Sequence, residues 1–269
     1  MRARYPDAEG FIERDGIKVG YEVFGQGELA VVFPPIDGIV HSRCWKAQVP
    51  YLARSFTVVT IDPRGNGRSD RPQSAAAYAD TEWIADTIAV MDAAIRADLG
   101  YRADEKVCVV TVGGSGVGTD LLRRVTAAFP VAKRLVPELR MIMVAGPRID
   151  PDSLPSHDGL EVHGYVHDLY RHLAACDLAV VQGGLTTTME LTASQRPFIY
   201  VPLRHHFEQN FHVRHRLAQY GAGRCLDYEQ TAPDVLARAM AEEICRPVSY
   251  RPVETDGAAR AAACLADLI

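Results

Sequence analysis

The sequence predicts an α/β fold built on a Rossmann-like, doubly wound and mostly parallel sheet. Short apolar runs rich in β-branched residues alternate with amphipathic stretches along almost the whole chain, and this alternation is typical of strands covered by helices on both faces. The composition, 48% hydrophobic and 23% charged over 269 residues, supplies enough apolar material for a sizeable core. The length allows one large domain or two small ones, at roughly 100 to 200 residues per domain.

The individual elements follow from these runs. The predicted strands are Leu29–Phe33, Phe56–Ile61, Val107–Val112, Met141–Ala145, Leu178–Val181 and Phe198–Val201. The predicted helices are Thr81–Ala97, Asp120–Ala128, Asp168–Ala175, Phe207–Gln219 and Pro233–Ile244. A charged stretch around Gly100, from Ala97 to Lys106, predicts a domain junction. We therefore expect an N-terminal segment over residues 1–97 and a C-terminal domain over residues 98–269.

Charge and cysteine usage narrow the functional classes. The net charge is -5, and Lys and Arg are scattered, which argues against a nucleic-acid-binding surface. No apolar run approaches the roughly 20 residues that cross a bilayer, and no signal peptide opens the chain. The six cysteines are widely spaced without a CxxC pair, so we expect reduced thiols, no metal site and no cofactor in a cytoplasmic protein without a transmembrane segment.

The N-terminal segment carries one specific motif, Ile61–Pro72, with the sequence IDPRGNGRSDRP. Together with Asp15-Gly16 and with Pro34-Pro35 after a predicted strand, it makes residues 11–95 resemble the opening of an α/β-hydrolase. The resemblance implies a loop after the third strand of the conserved core, in which glycines permit tight turns and Arg and Asp fix the loop. A well-made turn without any chemical role is the simpler explanation of the motif.

A hydrolase of this kind also needs a nucleophile elbow, an acid and a late His. The nearest elbow is the run Gly113–Gly118, with Ser115 as the nucleophile, but Val117 replaces the final glycine of the Gly-x-Ser-x-Gly pattern. A β-branched residue fits that tight turn poorly, and no later segment resembles the acid or the His loop. We therefore predict that Ser115 is not a nucleophile, and an esterase-like hydrolase using Ser115 is kept as an alternative.

The same glycine-rich run suits a phosphate group. Gly113, Gly114, Ser115 and Gly116 follow a predicted strand and precede a helix that begins near Thr119. A loop of this kind presents free backbone N–H groups and the positive end of the helix dipole to a diphosphate. An ordinary strand-to-helix turn would give the same pattern.

A second glycine-rich run follows Leu178–Val181, from Gln182 to Glu190. It resembles the donor-site signature of UDP-sugar glycosyltransferases of the GT-B fold, including the macrolide, plant-type and peptidoglycan N-acetylglucosaminyltransferase groups. Three residues match the signature Gly-x-x-Thr/Ser-x-x-Glu: Gly184, Thr187 and Glu190.

The resemblance implies a role for each part of this run. Small residues, Gly183 and Thr186 among them, would lie against the phosphates, and Glu190 would accept hydrogen bonds from the ribose. Backbone atoms of Tyr165 and Val166 would contact the base. Gln182 departs from the family, because many members carry a His there that touches phosphate.

Spacing alone leaves a structural alternative for this motif. Thr187-x-x-Glu190 is also a capping box, in which the Thr side chain caps a helix and the Glu side chain returns to its backbone N–H. The cap and the ribose contact remain alternatives at this point.

A third element follows the predicted strand Phe198–Val201. In the GT-B family, an acidic or amide pair at the next helix start binds the sugar hydroxyls, and Glu208 and Gln209 match it, with Asn210 as a further candidate. Carboxylate and amide oxygens suit vicinal diols, although a Glu in a first helical turn also complements the helix dipole. His205 and His206 are either solvated loop residues or additional phosphate or sugar contacts.

Residues 105–243 thus resemble the nucleotide-sugar-binding lobe of a GT-B glycosyltransferase, preceded by an α/β-hydrolase-like fragment. A complete GT-B enzyme also has an acceptor lobe that usually supplies the general base, and here only Asp37 and His41 are candidates. The predicted function is transfer of a sugar, from a UDP-sugar above all, to an unidentified acceptor. A non-catalytic nucleotide-sugar-binding module is the alternative, and the chain is either a natural fusion, a deletion product or a chimera.

Overall fold

The chain divides into two compact units, one ending at Ala103 and the other beginning at Asp104. The computed structural model describes residues 4–36, 39–114 and 116–266. The junction predicted after residue 97 falls in the last turn of the helix Asp80–Asp98. Among the described helices, none combines the length and apolar character needed to cross a membrane.

The first unit contains a mixed four-stranded sheet with the order β1-β2-β4-β3. Its elements are β1 (Ala8–Arg14), β2 (Ile17–Phe24), β3 (Ala30–Phe33), α1 (Gln48–Leu52), β4 (Thr57–Ile61) and α2 (Asp80–Asp98). Strands β1 and β2 form an antiparallel hairpin, and β3 pairs with β4 in parallel. The hairpin turns at Asp15-Gly16, where both residues have positive φ angles, as two-residue hairpin turns require. Buried side chains of the sheet, including Val19, Val59 and Ile61, pack with Val90 of α2.

The loop after β4 is held by buried charged groups. Asp62 accepts hydrogen bonds from the backbone N–H groups of Ser42 and Arg68, both at 3.0 Å. Arg64 is 2% exposed and donates to both carboxylate oxygens of Asp86, at 2.6 and 2.8 Å. Asp62 and Arg64 of the Ile61–Pro72 motif therefore stabilise the loop.

The second unit is built on a six-stranded sheet in which every pairing between strands is parallel. The strands are β5 (Lys106–Thr111), β6 (Leu139–Val144), β7 (Leu160–His163), β8 (Leu178–Val181), β9 (Phe198–Tyr200) and β10 (Arg224–Cys225). Their order is β10-β9-β8-β5-β6-β7. This arrangement confirms the predicted α/β fold class with a Rossmann-like parallel sheet.

The helices of the second unit are α3 (Thr119–Leu135), α4 (Leu169–Ala175), α5 (Leu185–Ala193), α6 (Arg214–Tyr220), α7 (Pro233–Glu243) and α8 (Gly257–Ala266). Helix α3 presents buried residues at helical spacing, such as Leu121, Val125, Ala128 and Ala132, and this stripe packs with the sheet and α7. Each fully buried Leu or Val side chain of this stripe contributes about 1.5–3 kcal/mol of transfer free energy.

One helix differs in type from its prediction. The segment Phe207–Gln219 was expected to be a single regular helix, but Glu208–Val213 is a π-helix that leads into α6. π-Helical turns are rare and often occur at functional sites.

The strand order creates a switch point at the middle of the sheet. From β5 the chain moves outward to β6 and β7, and it then returns to place β8, β9 and β10 on the other side of β5. The loops that follow β5 and β8 therefore leave in opposite directions. In open parallel sheets, the crevice at the carboxyl ends of such strands is where ligands bind.

Candidate functional site

A cavity of about 340 Å³ lies at this switch point. It is lined by residues that end or follow β5, β8 and β9, namely Thr111, Val112, Gly113, Val117, Val181, Gln182, Gly184, Thr187, Leu203, His206 and Gln209. Its volume lies near the lower end of the range of small-molecule sites, about 300–1,000 Å³. Residues from each of the three predicted donor-site elements therefore meet in one cavity.

The loop after β5 forms the first wall. Gly113 lines the cavity. A Cβ atom added to Gly113 would meet no atom within 4 Å other than those of its two neighbours in the chain. Gly114 is exposed, and Gly116 has a φ of +81°. The predicted residue Ser115 lies outside the described residues. Helix α3 then begins at Thr119 with Gly118 as its cap residue, so no cap side chain covers the N–H groups of its first turn.

Helix α5 forms the second wall. Its cap residue is Gly184, which lines the cavity. The preceding Gly183 is buried with a φ of +84°, a conformation that side chains other than glycine rarely adopt. The cavity thus adjoins a second helix N-terminus whose cap has no side chain, and this end of a helix attracts anions.

The capping-box alternative for Thr187 and Glu190 is wrong. Because α5 begins at Leu185, Thr187 is its third residue and Glu190 its sixth, whereas a capping box needs the Thr outside the helix and the Glu at the third position. Thr187 instead lines the cavity, and Thr186 is exposed.

Glu190 follows Thr187 by three residues, so the two share a face of α5. Glu190 lies one turn beyond the part of the helix that lines the cavity. Partial burial raises the pKa of its carboxyl group, because removal from water disfavours the charged form.

The loop after β9 forms the third wall and is held by side-chain amides. Gln209 lines the cavity, and its Oε1 accepts a hydrogen bond from the backbone N–H of Leu203 at 2.9 Å. Nδ2 of Asn210 donates to the carbonyl oxygens of Leu203 and His206, at 2.7 and 2.9 Å. Both amide protons of Asn210 are therefore engaged in the loop, while Glu208 is exposed at the start of the π-helix.

Three other predicted residues lie away from the cavity lining. Tyr165, which is 74% exposed, and Val166 follow β7 at one edge of the sheet. His205 is exposed, whereas its neighbour His206 lines the cavity. Asp37 lies outside the described residues.

His41 belongs to the first unit and caps a short helical turn there. Its Nδ1 accepts a hydrogen bond from the backbone N–H of Arg43 at 3.1 Å. A role for His41 as the general base stays a prediction.

Two polar residues of the cavity were not assigned to the site from the sequence. Thr111 is the last residue of β5, and Gln182 directly follows β8 and is 4% exposed. Nε2 of Gln182 is buried and has no hydrogen-bond partner among the described residues, and an unsatisfied buried donor costs about 1–3 kcal/mol. The signal that identifies both residues is their place at the carboxyl ends of the two strands that flank the switch point.

Within the described parts of the chain, no group of three or more His, Cys, Asp or Glu side chains is arranged to hold a metal ion.

Comparison with known proteins places these features in a family. The family model described as the glycosyltransferase family 28 C-terminal domain matches residues 107–262. An uncharacterized glycosyltransferase of Methanopyrus kandleri is 28% identical over 170 residues, which are 63% of this chain and 47% of that protein. A UDP-N-acetylglucosamine–N-acetylmuramyl-(pentapeptide) pyrophosphoryl-undecaprenol N-acetylglucosamine transferase of an Exiguobacterium species is 33% identical over 106 residues, 38% of this chain and 29% of that protein.

A solved structure with a similar region is the calicheamicin glycosyltransferase. It aligns with a TM-score of 0.45 and 22% identity, over 53% of this chain and 34% of its own. The chain spans less than half the length of each of these relatives. Residues 107–262 are more than half of the chain, and the protein therefore belongs to glycosyltransferase family 28, whose C-terminal domain it contains.

Proposed function

We propose that the second unit binds a nucleotide-diphospho-sugar, with a UDP-sugar as the donor, and that the protein transfers the sugar to an acceptor that its sequence does not identify. The observation that carries this proposal is the cavity at the switch point, which two helices approach with glycine-capped N-termini. Such a site suits a ligand with a doubly charged linker between two uncharged ends.

The diphosphate would lie between the loop at Gly113–Gly116 and the N-terminus of α5. Gly113, Gly184 and Thr187 all line the cavity. Glycines allow the phosphate oxygens to approach the backbone, and the Thr hydroxyl offers a further donor. Backbone N–H groups and the helix dipoles then balance the negative charge.

The two ends of the donor would extend from this centre. One turn along α5, Glu190 would accept hydrogen bonds from the ribose hydroxyls, with the base against the backbone of Tyr165 and Val166. Glu208 and Gln209 would form hydrogen bonds with the hydroxyl groups of the sugar. Since both amide protons of Asn210 hold the loop, its contribution would be to position the neighbouring Gln209.

Transfer requires stabilisation of the charge that develops on the departing diphosphate. Fixed backbone dipoles at helix N-termini provide this stabilisation without reorganisation during the reaction. The relatives support the choice of uracil as the base, because one of them is named for its use of UDP-N-acetylglucosamine. An α/β-hydrolase-like role for residues 11–95 stays a prediction, since the family match begins at residue 107.

A binding screen on the full chain tests this proposal. We expect UDP and UDP-sugars at millimolar concentration to raise the melting temperature by mass action, more than GDP, dTDP or uridine do. The control is the variant Gly184→Val, which places a branched side chain at the cavity wall and at the cap of α5. The proposal fails if no nucleoside diphosphate shifts the melting curve of the wild type.

Binding alone does not separate a transferase from a non-catalytic nucleotide-sugar-binding module. Release of UDP from UDP-N-acetylglucosamine in the presence of a panel of acceptors separates the two. We expect acceptor-dependent release by the wild type and a much slower rate in Gly184→Val. Tight UDP-sugar binding with no release under any acceptor would favour the binding module.

A further inference from the structure

We propose that Tyr228 is a positioning residue of the donor site, because it joins to helix α3 a short turn that holds both ends of the sugar-binding segment. This segment, residues 203–213, contains the third wall of the cavity and the π-helix. The inference rests on the proposed function, in which Glu208 and Gln209 bind the hydroxyl groups of the sugar. Tyr228 is not among the described residues that line the cavity, so it would act through the segment and not by touching the donor.

Tyr228 is joined to the first two turns of α3 through its hydroxyl group, its backbone and its ring. The hydroxyl group donates a hydrogen bond to the carboxylate of Asp120. The carbonyl oxygen of Tyr228 accepts a hydrogen bond from Nη1 of Arg124 at 3.0 Å, and the same Nη1 donates to Oγ1 of the buried Thr231 at 2.8 Å. The ring centre lies 4.5 Å from the guanidinium carbon of Arg124, within the range of a cation–π contact. Tyr228 is therefore fixed to a helix that packs into the core.

The residues on either side of Tyr228 hold the two ends of the sugar-binding segment. Glu229 forms an ion pair with Arg204, near the start of the segment, at 2.6 Å. Asp227 forms an ion pair with Arg214, which directly follows the π-helix, at 3.3 Å. The guanidinium carbon of Arg204 also lies 5.7 Å from the centre of the Tyr228 ring. Exposed ion pairs contribute little to stability, but a pair at each end defines where the segment lies relative to α3.

A displacement of Arg204 would reach the sugar contacts, because the segment is tied together by its own side chains. Oε1 of Gln209 accepts a hydrogen bond from the backbone N–H of Leu203, the residue before Arg204, at 2.9 Å. Both Leu203 and Gln209 line the cavity. The diphosphate would lie instead between the loop at Gly113–Gly116 and the N-terminus of α5. Loss of Tyr228 should therefore weaken recognition of the sugar and leave recognition of the nucleotide nearly unchanged.

Isothermal titration with UDP-N-acetylglucosamine and with UDP, on the wild type, Y228A and R204A, tests the inference. The measured quantity is the ratio of the dissociation constant for UDP-N-acetylglucosamine to that for UDP. We expect this ratio to rise at least fivefold in both variants, while the dissociation constant for UDP itself changes less than twofold. The matched control is Y51A, which removes an exposed ring of the first unit that lies 5.7 Å from the guanidinium carbon of Arg54, and its ratio should equal that of the wild type.

Two further variants separate positioning from a purely structural role. Because Tyr228 and Arg204 would act through one contact, the double variant Y228A/R204A should raise the ratio no further than Y228A alone. Y228F keeps the ring between the two guanidinium groups, and its ratio should stay within twofold of the wild type.

A lower melting temperature of Y228A with an unchanged ratio, or additive effects in the double variant, would overturn the inference and leave the proposed function standing. R204A alters a side chain that is 56% exposed, so an unchanged ratio in this variant decides against the inference even where Y228A does not fold. Failure of the wild type to bind either ligand would overturn the proposed function and this inference with it.

Discussion

Gly118 and Val112 approach each other so closely that no side chain fits between them. A Cβ atom on Gly118 would lie 2.3 Å from Cβ of Val112 and within 2.6 Å of both its methyl groups. Val112 follows β5 directly, and Gly118 caps α3. The contact therefore brings the start of α3 close to the end of β5, and it places the N-terminus of α3 beside the cavity.

Gly118→Ala should consequently destabilise the protein. The backbone angles of Gly118, φ -81° and ψ -4°, are open to alanine, so the cost is steric and amounts to about 1–3 kcal/mol, as for other overpacked sites. Urea denaturation of the full chain measures it. The matched control is Gly113→Ala, where the new methyl group meets no atom within 4 Å, and we expect a change within about 0.5 kcal/mol. Equal stability of the two variants would show that the loop relaxes at no cost.

Glu190→Ala should weaken nucleotide binding without destabilising the fold. Because Glu190 is the sixth residue of α5 and closes no capping box, we expect its stability to stay within about 0.5 kcal/mol of the wild type. Loss of the proposed contacts to the ribose should lower the affinity for UDP at least tenfold, and about 1.4 kcal/mol corresponds to each factor of ten. Calorimetry with UDP on Glu190→Ala and Glu190→Gln checks this. Unchanged affinity in both variants would exclude a ribose contact.

The ion pair between Arg64 and Asp86 should dominate the stability of the first unit. Both side chains are 2% exposed, and removal of Asp86 leaves the buried Arg64 with only the partly exposed Glu82 as a counter-charge, which costs about 3–5 kcal/mol. We therefore expect Asp86→Ala to be strongly destabilising in chemical denaturation. The control is Glu82→Ala, because Glu82 contacts the same Arg64 at 3.3 Å from a position that is 31% exposed. Its removal should cost at most about 1 kcal/mol.

Glu161 should make the free energy of unfolding depend on pH in the acid range. The hydrogen bond from Arg140, at 2.7 Å, lowers the pKa of Glu161 from its ordinary value of 4.5. A carboxyl group with a lower pKa in the folded chain adds stability above its ordinary pKa, and this contribution disappears as the pH falls through the folded value. The wild type should therefore be more stable than Glu161→Gln at pH 6, and the difference should diminish as the pH falls below 4.5.

Melting curves of both proteins between these pH values provide the measurement. Glu254→Gln serves as the control, because it removes an exposed ion pair with Arg260, and we expect no resolvable change. A difference between wild type and Glu161→Gln that persists undiminished at the acid end would contradict the assignment to this carboxyl group.

The sequence predicts the parallel sheet well because its strands are buried on both faces. Each predicted strand of the second unit is present with shifts of at most about two residues at its ends, within the uncertainty of element boundaries. The hairpin of β1 and β2 was not predicted as a pair of strands. Several side chains of β1 are exposed and only Ile12 is buried. Neither a continuous apolar run nor a clean alternation of apolar and polar residues therefore identifies β1 in the sequence.

Local preferences explain the other differences. The predicted helix Asp120–Ala128 is part of α3, which continues through Pro130 to Leu135, although the residue before a proline disfavours helical geometry. Burial of Phe129 and Ala132 stabilises the continuation. The segment that forms the π-helix carries no pattern of apolar residues that would distinguish it from an α-helix in the sequence. The role of Asn210 within its loop, and the lack of a partner for the Gln182 amide among the described residues, depend on distances that only the folded chain defines.

The central position of β5 and β8 has a consequence for the rates of amide hydrogen exchange. Strands with neighbours on both sides open only with the whole unit and exchange slowest, whereas the loops that leave them open locally. The boundary between slow and fast amides should therefore fall close to Thr111 on one strand and Val181 on the other. A nucleotide bound in the cavity would move this boundary outward, because it would slow amide exchange in the first turns of α3 and α5. Deuterium uptake by peptides from these two turns would therefore report occupancy of the cavity, while the exchange rates of the sheet would stay unchanged.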